Sequence, residues 1–146
     1  MIRDLIIDDL PAVFLIEQQT PSPWTKGQLE GEVFQPCGWG LVGCMVPEGP
    51  VLAFLLGRRI VDEAEILKLA VHQEYRRRGL ATALLSHAIT RFTDDQVCRW
   101  YLEVRAENTV ARLLYEKFDF HVTHVRRSYY TDPEDDALCL SLTLCS

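Results

Sequence analysis

The 146-residue chain has no apolar run of the roughly 18 residues that a membrane span requires. Its opening stretch, MIRDLIIDDL, lacks the basic region and small-residue cleavage site of a secretory leader, so a cytoplasmic location is expected. Cys37, Cys44, Cys98, Cys139 and Cys145 form no C-x-x-C pair, which removes the usual zinc spacings; no metal is expected. An odd number of cysteines without a leader points to reduced thiols, most of them buried and unreactive. No G-x-x-x-x-G-K-(S/T) run is present, and the Rossmann fingerprint G-x-G-x-x-G is read as absent. No repeat, low-complexity tract or linker divides the chain, so residues 1–146 read as one domain able to bury a sizeable core. Positive charge is in deficit, with 15 Lys and Arg against 21 Asp and Glu and a formal net charge of −6. That balance argues against nucleic acid as the main partner and suits a cationic substrate, although mild acidity also serves solubility.

What is present is an alternation of strand and helix patterns. Residues 2–7 read as a short strand, and Asp8 and Asp9 as caps of a helix that holds Pro11 in its first turn and turns Ala12, Val13 and Ile16 inward. The segment TPSPWT (20–25) breaks the chain, and Thr25 caps a second helix ending near Phe34. Strands follow near 38–46 and 51–61, then from Glu63 to about His72, where period two places Glu63, Glu65, Leu67 and Leu69 on one face. Residues 77–92 form an amphipathic helix with Leu80, Leu84, Ala88 and Phe92 on its stripe. RWYLEV (99–104) is a strand. Asn108 caps a helix with Val110, Leu113, Leu114 and Phe118 inward, and strands near 120–130 and 137–144 flank the acidic turn TDPEDD. The order βααβββαβαββ predicts an α+β domain around one mixed sheet.

The most pointed local feature is Arg76, Arg77 and Arg78 followed at once by Gly79 and a helix. A helix start leaves backbone N–H groups without partners and carries partial positive charge, so an anion placed there satisfies both. Gly79 lets the backbone approach such an anion, and Ala81 and Thr82 are small. The same run also reads as a solvated basic stretch that happens to precede a helix.

These residues resemble the GNAT superfamily of N-acetyltransferases. RRRGLA (76–81) fits the signature (Q/R)-x-x-G-x-(G/A), after the strand EILKLAV and at a helix start. The resemblance covers essentially the whole chain and is close to the RimI-like branch, the bacterial ribosomal-protein-alanine N-acetyltransferases. It is carried by IEQQTPSPWT, DEAEILKLAVHQEYRRRGLATALL, YLEVRAENTVARLLYEKFDF and RRSYYTDPEDDAL. It implies a mostly antiparallel mixed sheet with helices on both faces and acetyl-coenzyme A (acetyl-CoA) as co-substrate. It places the pyrophosphate on the amides of Arg77, Arg78, Gly79, Leu80, Ala81 and Thr82. The pantetheine arm lies along Leu69, Ala70 and Val71, where a splay between two central strands opens a slot and a backbone N–H polarises the thioester carbonyl. Asp119 stands where relatives usually carry glycine, and aspartate tolerates a left-handed backbone better than most residues.

The resemblance also implies that Glu103 is the proton acceptor, that Tyr115 is the proton donor to the departing sulfur, and that Asn108 contacts the cofactor. The acceptor implied is a basic protein N-terminus, that of a ribosomal protein starting with alanine. A terminal α-amine has a reference pKa of about 7.7–8.0 against about 10.4 for lysine, so roughly a tenth or more of it is already neutral near pH 7. A glutamate can take its proton directly or through a water. Read from spacing alone, Glu103 is equally a solvated strand-end residue, Tyr115 a core tyrosine and Asn108 simply a cap. Glu63 and Glu65 form a second carboxylate candidate. Tyr129, Tyr130 and the SPW stretch (22–24) are candidate walls of a peptide slot, and the acidic turn is either an attractor for a basic peptide or a solubilising surface. Another protein N-terminus, a lysine or a small amine stays open as acceptor, as does a non-catalytic acyl-CoA sensor that would dispense with Glu103 and Tyr115.

Overall fold

Local start signals decide where the helices begin. The structure is a computed structural model describing residues 1–144. In chain order its elements are β1 (Ile2–Asp4), α1 (Leu10–Glu17), α2 (Lys26–Phe34), β2 (Gly38–Gly43), β3 (Ala53–Ile60), β4 (Glu63–Val71), α3 (Leu80–Asp94), β5 (Arg99–Arg105), α4 (Thr109–Lys117), β6 (His121–Thr131) and β7 (Glu134–Thr143). Thr25 and Gln28 form a reciprocal capping box on α2, with bonds of 3.1 and 2.8 Å. Asn108 Oδ1 accepts from Ala111 N at 3.1 Å and starts α4. Asp9 holds the N-cap position of α1 but makes no capping bond. Its carboxylate instead takes a two-pronged contact from Arg3 and the amide of Ile6, all at 2.8 Å; the Arg3 guanidinium holds it below the usual carboxylate range. The predicted helix over 77–92 starts three residues late, at Leu80, because Arg77 and Gly79 have left-handed backbones with φ of +63° and +81°.

The seven strands form one sheet in the order β1-β2-β3-β4-β5-β7-β6, antiparallel at every pair except β4–β5. Helices α1 and α2 cover one face, where Val13, Ile16 and Leu29 pack on Val42, Phe54, Leu56 and Ala70. Helices α3 and α4 cover the other, where Leu80, Leu84, Leu85, Ala88 and Tyr115 pack on Leu55, Ala64, Ile66, Leu102 and Val104. This is the α+β arrangement expected, with helices on both faces. No helix among the described residues is long and apolar enough to cross a membrane.

Several expectations are corrected. Period two fails along β4, because Leu56 pairs with Lys68 while Gly57 pairs with Ile66, leaving Leu67 as the extra residue of a bulge. The bulge exchanges the faces, so Leu69 joins Ala64 and Ile66 in the α3 core while Lys68 and Ala70 join the side of Glu63 and Glu65. On α4 the buried stripe is Ala111, Leu114, Tyr115 and Phe118, leaving Val110 and Leu113 82% and 56% exposed. Two apolar stripes overlap in that sequence, and the one adopted buries Tyr115 against Phe120, ring centroids 5.5 Å apart. Of the cysteines, Cys44 is buried and free, Cys37 exposed and free, and Cys139 half-buried and free. Cys98 is disulfide-bonded, against the expectation of reduced thiols throughout; bonding depends on backbone approach in space, which spacing along the chain does not show. Cys145 lies outside the described residues.

Against the reading of G-x-G-x-x-G as absent, that spacing does occur, as GWGLVG at residues 38–43. It lies inside β2 and leads to β3 rather than into a helix, so context, and not the letters, excludes a dinucleotide turn. At the sheet margin, β6 is exposed from His121 to Tyr129, and its register on β7 breaks twice, between Val122 and His124 and between Arg126 and Tyr130. Asp119 is left-handed, with φ of +69°, as expected for the position relatives fill with glycine.

Gly57, beside the bulge, faces Trp39, whose ring packs on Phe92 and Trp100 with centroids 4.9 and 5.9 Å apart. A Cβ at Gly57 collides with the Trp39 indole and the Glu65 carbonyl, whereas one at Gly31 on α2 meets nothing within 4 Å. Gly57→Ala is therefore expected to cost about 1–3 kcal/mol by overpacking. Gly31→Ala should be neutral or stabilising by up to about 1 kcal/mol through helix propensity. Denaturant titration of the two variants against wild type checks both.

Candidate active site

Parallel pairing between β4 and β5 runs from Glu63 with Arg99 to Ile66 with Leu102 and stops there. Beyond that point β4 follows β3 as far as Val71, and β5 follows β7 as far as Arg105. The two central strands thus splay from the Leu67 bulge onward, and the β5-facing edge of Leu69, Ala70 and Val71 has no strand beside it. Backbone polar groups on such an edge are free to pair with an extended ligand. Along this edge the Val71 carbonyl accepts from Arg76 Nε at 3.4 Å.

The open edge runs into the arginine–glycine turn. Ala83 N donates to Gly79 O, the first bond of α3, and Gly79 provides no side-chain cap. The amides of Leu80, Ala81 and Thr82 therefore point out of the helix start without an intrahelical acceptor. Left-handed residues at 77 and 79 curl the preceding backbone into a concave turn of the kind that binds anions. Arg77 and Arg78 are exposed, Arg78 lying 5.0 Å over the Tyr75 ring. Space above Gly79 is open, so what glycine supplies here is its φ.

Glu103 and Tyr115 stand on opposite faces of the sheet. Odd-numbered positions of β5 share the α1–α2 side, while Leu102, Val104 and the buried Tyr115 belong to the α3–α4 core. Glu103, one-third exposed, accepts the Cys139 thiol at 3.8 Å and lies 3.5 Å from Arg126. Burial pushes the Tyr115 phenol well above its ordinary pKa, so it stays protonated at physiological pH. The Asn108 carbonyl oxygen is spent on the cap, leaving its NH₂ for a ligand.

Of the second carboxylate pair, Glu63 is tied to Arg99 at 3.4 Å at the closed end of the splay. Glu65 is half-buried on the Glu103 side. Burial raises its pKa and the charges of Glu103 and Glu32 add to this, while Arg58 opposes. Burial likewise raises the pKa of Tyr130, with Glu103 contributing. Most acids of the TDPEDD turn are engaged in holding the hairpin: Asp135 accepts from Glu107 N and Asp136 N, Asp136 from Ser128 N, and Glu134 from Ser128 Oγ. Among the described residues no three His, Cys, Asp or Glu side chains are grouped to hold a metal.

Sequence reasoning passed over Glu17, Lys68 and Arg105. Glu17 is completely buried on α1 and pairs with Lys68 Nζ at 2.8 Å. Removing one partner of such a pair costs about 3–5 kcal/mol. Its signal was visible, an acid one step from Ile16 and four from Val13 on the inward stripe of α1. Lys68 and Arg105 gave none, because their roles depend on the bulge and on tertiary contact.

The chain matches the acetyltransferase (GNAT) family over residues 2–120. It is 35% identical over 149 residues to the [ribosomal protein bS18]-alanine N-acetyltransferase of Escherichia coli strain K12, covering 98% of this chain and 97% of that protein. The crystal structure of the ribosomal-protein-S18-alanine N-acetyltransferase from Escherichia coli superposes with a TM-score of 0.92 at 33% identity, covering 100% of this chain and 94% of that one. The fold is also that of Arabidopsis thaliana NAA60 in complex with acetyl-CoA, with a TM-score of 0.85 at 19% identity and coverage of 98% and 97%. The chain belongs to the acetyltransferase (GNAT) family and is an acetyl-CoA-dependent N-acetyltransferase.

Proposed function

We propose that the enzyme acetylates a protein N-terminus in the cytoplasm, and that its acceptor is the N-terminal alanine of a small-subunit ribosomal protein. The observation that carries this is the splay itself, with the Glu103 carboxylate on β5 just past its start; the buried, protonated Tyr115 phenol on the opposite face of the sheet supports the reading. The near full-length similarity to a bS18-alanine acetyltransferase supports the choice of acceptor.

Acetyl-CoA supplies the activated acetyl group. The amides of Gly79, Leu80, Ala81 and Thr82, with Arg77 and Arg78 around them, take the diphosphate. Leu69, Ala70 and Val71 offer backbone groups to the pantetheine arm, one N–H being aimed at the thioester carbonyl. Asn108 adds its NH₂. On the α1–α2 face, Glu103 takes a proton from the acceptor amine, directly or through a water. On the α3–α4 face, Tyr115 holds the proton that the departing sulfur needs. An acid and a base on opposite sides of one slot fit direct transfer, because the amine and the thioester arrive from different faces. An α-amine needs less help from the base than a lysine does, its pKa lying about two to three units lower. The acceptor side carries Glu65 and Glu103, which suits a cationic chain end. Residues 22–24, Tyr129 and Tyr130 line it.

Three variants test the assignment by thiol release from acetyl-CoA with a basic, alanine-starting peptide. Glu103→Gln is expected to lower kcat by about 10²–10⁴ while leaving acetyl-CoA affinity nearly unchanged; wild-type turnover in it removes Glu103 from the base role. Gly79→Val must hold a β-branched residue at φ +81°, at a cost of about 1–2 kcal/mol or more, which weakens acetyl-CoA binding roughly tenfold or more. Gly79→Asn, able to adopt that backbone, should keep most of the affinity in calorimetric titration. A peptide panel differing only in the first residue, with an internal-lysine control, tests the acceptor; equal rates on the lysine control would overturn the N-terminal reading.

A further inference from the structure

A connected polar assembly on the Glu103 side of the sheet surrounds Ser22, in the segment between α1 and α2. From β4, Lys68 Nζ donates to the Ser22 carbonyl at 3.4 Å, lies 2.8 Å from Glu17 Oε2 and stands 5.1 Å over the Trp24 ring. Trp24 N donates to the same Glu17 oxygen at 2.9 Å, and Thr20 Oγ1 reaches Oε1 at 3.4 Å. From β5, Arg105 donates to Ser22 Oγ at 2.9 Å and to the Pro133 carbonyl at 2.8 Å, with its guanidinium 4.1 Å over Tyr130. Ser22 Oγ in turn donates to the Asp132 carbonyl at 3.4 Å.

Lys68 and Arg105 stand on the two strands that part, each beyond the last shared register of Ile66 with Leu102. Both belong to the Glu103 side of the sheet. A single serine therefore takes its donors from both banks of the gap, its carbonyl from β4 and its hydroxyl from β5. Arg105 also binds the β6–β7 hairpin, so the two segments that rise over this face are tied to each other and to the sheet.

We propose that Lys68 and Arg105 are positioning residues that clasp residues 20–25 across the splayed strands, making this segment and the β6–β7 hairpin a fixed wall that aims the acceptor amine at Glu103. The inference rests on the acceptor-side reading above. Both residues act through Ser22, and the buried Glu17 anchors the β4 half of the clasp from beneath. Loosening the clasp leaves the Gly79 turn and the Leu69–Val71 edge untouched, so donor binding and acceptor binding separate.

Removing Lys68 alone would strand a buried carboxylate and endanger folding. The test therefore uses the double variant Glu17→Gln/Lys68→Met, the single variant Arg105→Met at a half-buried position, and Arg105→Lys, which keeps charge without the fork. Acceptor-peptide KM, kcat, acetyl-CoA affinity by calorimetry and amide hydrogen exchange over residues 20–25 are measured for each. Faster exchange in that segment is expected, with peptide KM raised by about tenfold or more and acetyl-CoA affinity within about twofold of wild type. Arg105→Lys should fall between Arg105→Met and wild type. Unchanged peptide KM in both Met-bearing variants, or unchanged exchange, overturns the clasp. Should wild type bind acetyl-CoA yet acetylate no peptide, the acceptor reading is what fails; exchange over residues 20–25 then decides the clasp alone, faster supporting it and unchanged overturning it.

Discussion

One extra residue in β4 organises the molecule. Leu67 has no partner on β3, and its insertion rotates the rest of the strand by one face. Without it, Leu69 would turn away from the α3 core and Lys68 would turn into it. The shift also coincides with the end of pairing to β5, one residue earlier. A sheet that would otherwise be continuous acquires a gap at its centre, where both walls are backbone. An opening of this kind has geometry set by strand twist and register, which are stiff, rather than by loop conformation.

The gap divides labour between the two faces. On the α3–α4 side the environment is apolar and aromatic, and it keeps the Tyr115 phenol from ionising. On the α1–α2 side charges alternate in space: Glu32 with Arg58, Glu17 with Lys68, Glu103 with Arg126. Glu103 and Tyr115, kept on separate faces, share no direct hydrogen bond, and in the function proposed above each acts on the substrates from its own side of the sheet.

Legibility in the sequence followed the range of the interaction. The caps Thr25 and Asn108, the α3 stripe and the arginine–glycine turn depend on residues within a turn or two, and each was readable. The start of α3 was misplaced because two left-handed residues, one of them an arginine, interrupt a helical pattern that composition alone would extend. On α4 two stripes competed, and only the packing of Tyr115 on Phe120 separates them. The Leu67 bulge had no residue signature at all; leucine is as ordinary in a regular strand. Glu17 did announce itself, as an acid on an inward stripe, but Lys68 reaches it from 51 positions further on. The roles proposed for Glu103 and Tyr115 come only from the family pattern, since nothing in their spacing along the chain points to them.

The outermost strand carries a different lesson. A sheet whose central strands leave backbone unpaired has an edge inside it as well as at its two margins. At one margin β1 is only three residues long, and at the other the two register breaks in β6 bend and interrupt its free edge. Neither margin can template a further strand over any useful length. Both margins are thereby poorer templates for a further strand than the open edge of Leu69, Ala70 and Val71 inside the sheet.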